Sequence, residues 1–395
     1  MRWQGQEYDP LVDEEFDTAH AVFADLRARC PVAHSDAFGG FWIATRHADI
    51  RAILDDPIEF TTTVRNVVPG ASATGRRPPL HLDPPEHTPY RRAIDRALGP
   101  ARIAAIEPII AEHVSSLLDT FVAKGGGDFV ADFGSPLPAL LFAEWFQLDA
   151  RQTDLLWRTA AAFVKAWEAF DVETVSKTSE VLYDLARRLI AQRRKAPLDP
   201  TRDPVSSLLE ARDADGVPLP DAMLVGCVRQ ILVVGLVAPP VFLGSLAVHL
   251  SRNPELQDYL RANPQHDVAA VEEFLRLYTP YRGFARTSRS GTMLGGRDIR
   301  PGEPIALAYA SANRDEAVFP DPDTFILDRP NVRDHLAFGR GPHRCAGMSM
   351  ARTEFRIALR GLLDHTRTIA LDGEVRMSGM PEVGPVYVPL KVTGR

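Results

Sequence analysis

Apolar residues recur at helical spacing along most of the chain. The pattern predicts helices over Phe16–Arg29, His47–Leu54, Ile103–Lys124, Leu137–Leu148, Thr153–Phe170, Val172–Arg194, Val268–Tyr278 and Met348–Leu363. A longer helix is expected from Asp221 to about Leu250. From Ile231 to Val248 it is apolar all round, as a helix buried on every side would be. That run is also long enough for a membrane span. Pro239-Pro240 at its centre and the glycines at 235 and 244 favour a buried core helix instead. Short strand patterns are confined to Phe41–Ala44, Met293–Ile299, Ile305–Tyr309 and a tail from Pro381 to Val392, with Pro301-Gly302 as a turn. A small N-terminal sheet follows. Thr61 to His81 reads as irregular, and a long structureless loop of this kind is often a functional lid. Leu198 to Asp221 reads as a polar, proline-containing connection.

Composition narrows the class. The 395 residues are 45% hydrophobic and 25% charged, an ordinary globular balance. A net charge of −7 argues against nucleic acid as a bulk partner. The three cysteines, Cys30, Cys227 and Cys345, are too few and too scattered for a disulfide framework, which fits a reducing cytoplasm. Residues 1–10 are polar, and no signal peptide or membrane anchor is expected. No linker, charge block or repeat divides the chain, so a single domain over 1–395 is expected.

The candidate chemistry is concentrated in Phe338-Gly339-Arg340-Gly341-Pro342-His343-Arg344-Cys345-Ala346-Gly347. Three glycines and a proline in ten residues make this a loop, and it runs straight into the Met348–Leu363 helix. Cys345 sits at the junction. Free N–H groups and the dipole at a helix N-terminus favour thiolate over thiol. Glycines let N–H groups approach the sulfur without a Cβ in the way. Such a sulfur suits the single axial ligand of a large flat cofactor, and thiolate ligation of haem iron favours O–O cleavage. For a Cys and glycines alone, a structural cysteine beside a tight turn would be the plainer reading. Two further strings stand out. Leu82 to Arg92 is a Pro-rich turn feeding a helix, with Thr88 as N-cap, Pro89 at the first helical position, and His87 and Arg91 on one face. Glu273-Phe274-Leu275-Arg276 places an acid and a base one helical turn apart.

The Cys345 loop, Phe-Gly-x-Gly-x-His-x-Cys-x-Gly, resembles the haem-binding signature of the cytochrome P450 family, with every fixed position present. His87-x-x-x-Arg91, Glu273-x-x-Arg276 and the turn-rich Asn313-Arg314-Asp315 and Phe319-Pro320-Asp321-Pro322 are similar to family motifs, in the family's order. The likeness runs from about Phe16 to the C-terminus. It implies a single-domain fold, mainly α with small β-sheets, with haem b held between the long central helix and the Cys-loop helix. It implies Cys345 as iron ligand, and His87, Arg91, Arg286 and His343 as propionate partners. Phe338 and Gly347 would complete the haem contacts. Arg is well suited to carboxylates through its bidentate fork. The resemblance places Leu232, Tyr281, Gly283, Phe284, Val386 and the Thr61–His81 loop at the substrate pocket. Phe163, Trp167 and Phe170 are better read as core. Arg282 is expected to face solvent rather than bind an acidic substrate. Glu273, Arg276 and Arg329 would form a structural network behind the Cys loop.

The implied reaction is insertion of one oxygen atom into a small, largely apolar molecule. Electrons would come from NAD(P)H through a reductase and a ferredoxin, with Arg340, Arg344 and Arg352 as a basic docking rim or simply a solvated one. One departure matters. The family's usual acid and alcohol on the central helix align with Val237 and Ala238. Pro239 and Pro240 lack N–H groups, so the carbonyls of Gly235 and Leu236 lose their helical partners. A kink there would offer two acceptors, which makes Gly235, Leu236, Val237 and Ala238 the candidate catalytic stretch. Two alternatives stay open: a peroxygenase using hydrogen peroxide, and a non-catalytic haem-binding recruitment or sensor protein.

Overall fold

The computed structural model describes residues 7–12, 15–70, 75–169 and 171–395, apart from the side chains of residues 164, 167 and 168. Trp167 and Phe170 therefore lie outside the described side chains. Among the described residues the helices are α1 (Ala21–Arg29), α2 (His47–Asp55), α3 (His87–Arg96), α4 (Pro100–Ala123), α5 (Pro136–Phe146), α6 (Ala150–Glu168) and α7 (Val172–Lys195). They continue with α8 (Pro204–Glu210), α9 (Asp221–Val234), α10 (Ala238–Arg252), α11 (Pro254–Ala262), α12 (Asp267–Leu277), α13 (Tyr309–Ala312) and α14 (Met348–His365). The strands are β1 (Val32–Ser35), β2 (Phe41–Ala44), β3 (Phe60–Thr61), β4 (Gly126–Asp128), β5 (Phe284–Ser288), β6 (Thr292–Leu294) and β7 (Arg297–Ile299). After these come β8 (Pro304–Leu307), β9 (Thr366–Leu371), β10 (Arg376–Met377), β11 (Pro385–Tyr387) and β12 (Pro389–Gly394). The fold is mainly helical with several small sheets.

The chain forms two compact units. The first takes its residues from 1–71, 268–345 and 375–386. Its core is a five-stranded sheet in the order β1-β2-β8-β5-β3. β2 runs antiparallel to β1 (Val32↔Ala44) and parallel to β8 (Trp42↔Ile305), and β5 runs antiparallel to β8 (Phe284↔Leu307). Strand alternation sends side chains to opposite faces. Ala44, Ile305 and Leu307 pack with Ile50, Ile53 and Leu54 of α2, while Phe41, Ile43 and Ala306 pack with Phe23 and Leu26 of α1. A sheet buried on both faces is a rigid support for β5 and for the Cys345 loop.

The second unit takes its residues from 72–267, 346–374 and 387–395. It is helical, with one three-stranded sheet in the order β4-β12-β9. α7 and α8 begin at aspartates that cap them: Asp171 accepts from the Thr174 N–H at 3.0 Å and Asp203 from the Ser206 N–H at 2.7 Å. In this unit α9 and α10 are largely apolar. The stretch Asp221–Arg252 has a mean hydropathy of 2.3 over its most apolar window, and most of that window is buried in the protein, so it is core.

The structure corrects several expectations. The central helix is broken, not merely kinked: α9 ends at Val234 and α10 starts at Ala238, and the Leu236 N–H turns back to the Val233 carbonyl at 3.0 Å. Two consecutive prolines remove two donors from the ladder, enough to end one helix and start another. α3 begins at His87 with Glu86 as its cap residue, so Thr88 is not the N-cap. The N–H groups of His87 and Thr88 already bond the carbonyls of Asp83 and Pro85 (3.0 and 3.1 Å), which starts the helical turn early. α8 lies inside the stretch read as a connection. The helix expected from Phe16 starts at Ala21, and the last strand of the first unit's sheet stops at Leu307, before the short α13.

Candidate active site

In the first unit the Cys345 loop is tied down at both ends. The Leu336 N–H donates to Asn313 Oδ1 at 2.6 Å, and the Cys345 N–H donates to the Phe338 carbonyl at 2.8 Å. Between them Gly339 (φ 63°) and Gly341 (φ 70°) take left-handed backbone. A Cβ on Gly341 would sit 2.5 Å from the Leu54 carbonyl oxygen, so only glycine lets α2 and the loop approach this closely. His343 closes a short helical turn, its Nε2 3.4 Å from Thr62 Oγ1.

The three thiols have different surroundings. Cys227 is fully buried on α9 and Cys30 is partly buried, and burial pushes both thiols up, towards the protonated form. Cys345 alone is exposed. A free cysteine is ordinarily among the most buried residues, so a loop that presents one is built to hand its sulfur to something.

Further residues of the first unit lie on β5 and its approach. Arg286 is buried and its Nη1 donates to the Ala285 carbonyl at 2.8 Å. The rings of Tyr281 and Phe284 are 4.4 Å apart, and Phe284 meets Tyr309 at 6.0 Å. Burial, then Glu382 and Cys345, hold the Tyr281 phenol well above its usual range, so it stays a neutral donor. At Gly283 a Cβ would fall 2.4 Å from Pro381 Cβ and 2.5 Å from the Val68 carbonyl, so any side chain would push those segments apart. Val386 is half-buried on β11. Arg282 is 2% exposed, which overturns its expected solvent orientation. The apolar cover comes from distant chain: its own N–H donates to the Pro381 carbonyl at 3.0 Å.

Behind the loop sits a fully buried ion-pair network. Glu273 accepts from Arg276 Nε (2.9 Å) and Nη2 (2.7 Å), from Arg329 Nε (3.1 Å) and from the Ile326 N–H (3.0 Å). The two guanidinium groups spend their other hydrogens on carbonyls of the segment before the loop, including Asn313 (2.9 Å), Pro322 (2.7 Å) and Pro320 (2.5 Å). α12 is thereby fastened to residues 313–329.

In the second unit α3 carries buried His87 and, one turn on, Arg91, whose Nε pairs with Asp95 at 2.8 Å. On α9, Leu232 is fully buried. At the break a Cβ on Gly235 would lie 1.9 Å from Phe142 Cζ, so the residue must be glycine. Val237 and Ala238 are half-buried and carry no group that can move a proton. Gly347 is the residue capping α14. The sequence reading passed over one residue here. Arg229 stands in the Cys227-Val228-Arg229-Gln230-Ile231 run of α9 and is 1% exposed; a lone charge in an apolar helix was its available signal.

The donor set fits haem b. Among the described residues no three His, Cys, Asp or Glu side chains cluster to hold a metal ion, and one exposed sulfur suits a metal whose remaining ligands come from a macrocycle. Imidazole and guanidinium groups in the same unit, on His343 and Arg286, suit that macrocycle's carboxylates.

The cytochrome P450 family model matches residues 153–378. Mycinamicin IV hydroxylase/epoxidase of Micromonospora griseorubida is 33% identical over 368 residues, covering 88% of this chain and 89% of that protein. Linalool 8-monooxygenase of Pseudomonas putida is 30% identical over 395 residues, covering 94% and 96%. The solved structure of cytochrome P450 CYP109Q5 from Chondromyces apiculatus superposes with a TM-score of 0.85 at 26% identity, covering 96% of this chain and 97% of that one. Likeness sustained over nearly the whole length, in a chain that presents one thiol from a glycine-shaped loop, means that this protein belongs to the cytochrome P450 family of haem b oxidoreductases.

Proposed function

We propose that the protein is a monooxygenase: dioxygen, two electrons and two protons convert a C–H or C=C group of a small, largely apolar molecule to its oxygenated product and water. The observation that carries this reading is the exposed Cys345 sulfur. Bound haem b supplies the oxygen chemistry, with the thiolate ligand favouring O–O cleavage. Cys345 holds the iron. His343 and Arg286 orient the group through its carboxylates, and Phe338 bounds it. Tyr281, Gly283, Phe284 and Val386 give the substrate an apolar, water-poor surface. Glu273, Arg276 and Arg329 act at a distance by keeping the loop in place.

Proton handling falls to the stretch Gly235–Ala238. With Val237 and Ala238 inert, the Gly235 and Leu236 carbonyls, which face no i+4 donor, hold water or a substrate hydroxyl. Electrons come from NAD(P)H through a ferredoxin-type partner. The basic rim of Arg340, Arg344 and Arg352 beside the Cys345 loop offers it positive charge. The working compartment is the cytoplasm. The activities named for the two relatives, on mycinamicin IV and linalool, support oxygenation of small organic molecules.

The missing acid and alcohol favour a second reading, peroxygenase chemistry, in which hydrogen peroxide brings both oxygen and electrons and asks less of proton delivery. The deciding experiment uses a ligand found by spin-state titration and isotopically labelled dioxygen. Label in the product, dependent on ferredoxin, reductase and NAD(P)H, supports the first reading. Product formed only with peroxide supports the second, and no product with either oxidant overturns both.

A further inference from the structure

The second unit contains a buried positive charge, with a half-buried one near it, that nothing above explains. Arg229 on α9 is 1% exposed. Its Nη2 donates to Ser179 Oγ on α7 at 3.0 Å, and its guanidinium lies over the rings of Phe163 (5.2 Å) and Tyr183 (5.8 Å). Its Nε is buried and without a hydrogen-bond partner. So is Nε of Arg77, in the segment that precedes α3. The Arg77 backbone N–H donates to His81 Nδ1 at 3.3 Å, folding that imidazole into the same group. The approach is built into the chain: a Cβ on Gly226, one turn before Arg229, would sit 2.1 Å from the Arg76 carbonyl oxygen, so glycine there admits the 75–77 segment against α9.

A buried guanidinium, with the shielded Nε of half-buried Arg77 near enough to act on its charge, is costly unless an anion sits close by. Among the described residues no carboxylate provides one. Burial, then the Arg77 charge, lowers Arg229 to about 10. Burial, then Arg77, Arg229 and Arg76, drives His81 down to about 4, so the imidazole is neutral. Only the Tyr183 phenol works against the lowering of Arg229, and no carboxylate offsets either effect.

We propose that Arg77 and Arg229 form a binding site for the carboxylate of an organic-acid substrate whose apolar body lies on Phe163 and Tyr183. The planar guanidinium fork matches a carboxylate, and its weak hydration lets it wait in an apolar setting. Arg229 lies six residues before Gly235, about 9 Å along α9 by helical rise. An acid anchored at Arg229 therefore extends towards the helix break, with its reacting carbon remote from the carboxylate. This last step rests on the monooxygenase reading; the anion site does not.

The test compares matched pairs, dodecanoate and 3-phenylpropanoate each against its methyl ester, by calorimetry on the full-length haem-loaded protein. The acid is expected to bind about tenfold tighter or more, the usual worth of a desolvated charged hydrogen bond. Arg229→Gln and Arg77→Gln should each remove most of that preference. In ligand-free protein Arg229→Met should raise the melting temperature, because it deletes an uncompensated charge, while dodecanoate should stabilise only the wild type. Equal affinity for acid and ester, absence of acid binding, or a preference that survives both glutamine variants overturns the proposal. Because calorimetry needs no haem signal, acid selectivity in a protein lacking a thiolate-haem spectrum would sink the monooxygenase reading and leave the anion site standing.

Discussion

Glu273→Gln is the sharpest structural perturbation available. Among the described residues the wild-type carboxylate is the only negative charge facing Arg276 and Arg329 in their hydrogen bonds, and all three side chains are at most 4% exposed. The substitution keeps the shape but leaves two buried cations without a counter-charge. Removing one partner from a buried ion pair costs roughly 3–5 kcal/mol. The guanidinium groups retain carbonyl acceptors on Asn313, Pro322 and Pro320, which places the expected loss near the lower end, about 3 kcal/mol. It should be read as a lower urea midpoint, converted with the wild-type slope. Residues 313–329 lead directly into the Cys345 loop, so haem should also dissociate faster from the variant. A midpoint within about 1 kcal/mol of wild type, the size of one ordinary hydrogen bond, with unchanged haem retention, would refute the claim that this network holds the loop.

Gly235→Ala should destabilise by about 1–3 kcal/mol, because the new Cβ meets the buried Phe142 ring; Phe142→Leu in the same chain should recover part of that loss, and independent, additive effects in the double-mutant cycle would contradict the clash. Glu354 on α14 is buried, with Oε1 lacking a partner, and burial lifts its carboxyl to about 8. Its folded value exceeds the ordinary one near 4.5, so the folded state binds the extra proton and stability from this group falls as pH rises from about 4.5 to 8. Melting temperatures of wild type and Glu354→Gln should diverge in favour of the variant over that window, and parallel curves would count against it. Ala238→Thr restores an alcohol at the helix break and should raise the yield of product per NAD(P)H consumed, whereas unchanged coupling there and in Pro239→Ala and Pro240→Ala would make the break irrelevant to proton handling.

Local signals were the legible ones. α2 and α7 emerge at nearly the expected bounds because their periodicity is strong and Asp171 marks the start of α7. The Cys345 loop could be recognised because its shape depends on glycines within the loop itself. α8 was hidden because Asp203-Pro204, a cap followed by a first-turn proline, sits in polar sequence that lacks a long apolar stripe. The double proline announced a disturbance in the central helix but not its size. The burial of Arg282 and Arg229, and the need for glycine at 235, depend on Pro381, Ser179 and Phe142, which no spacing along the chain reveals. The parallel pairing of β2 with β8 is equally non-local, since some 260 residues of chain separate Trp42 from its partner Ile305.

The central claim is that Cys345 ligates haem iron as a thiolate. The most direct measurement is the difference spectrum of the purified, dithionite-reduced protein with carbon monoxide, beside that of Cys345→Ala. The wild type should show the band of thiolate-ligated haem and the variant should lose it. A wild-type spectrum without that band, or one that Cys345→Ala leaves intact, would contradict the account.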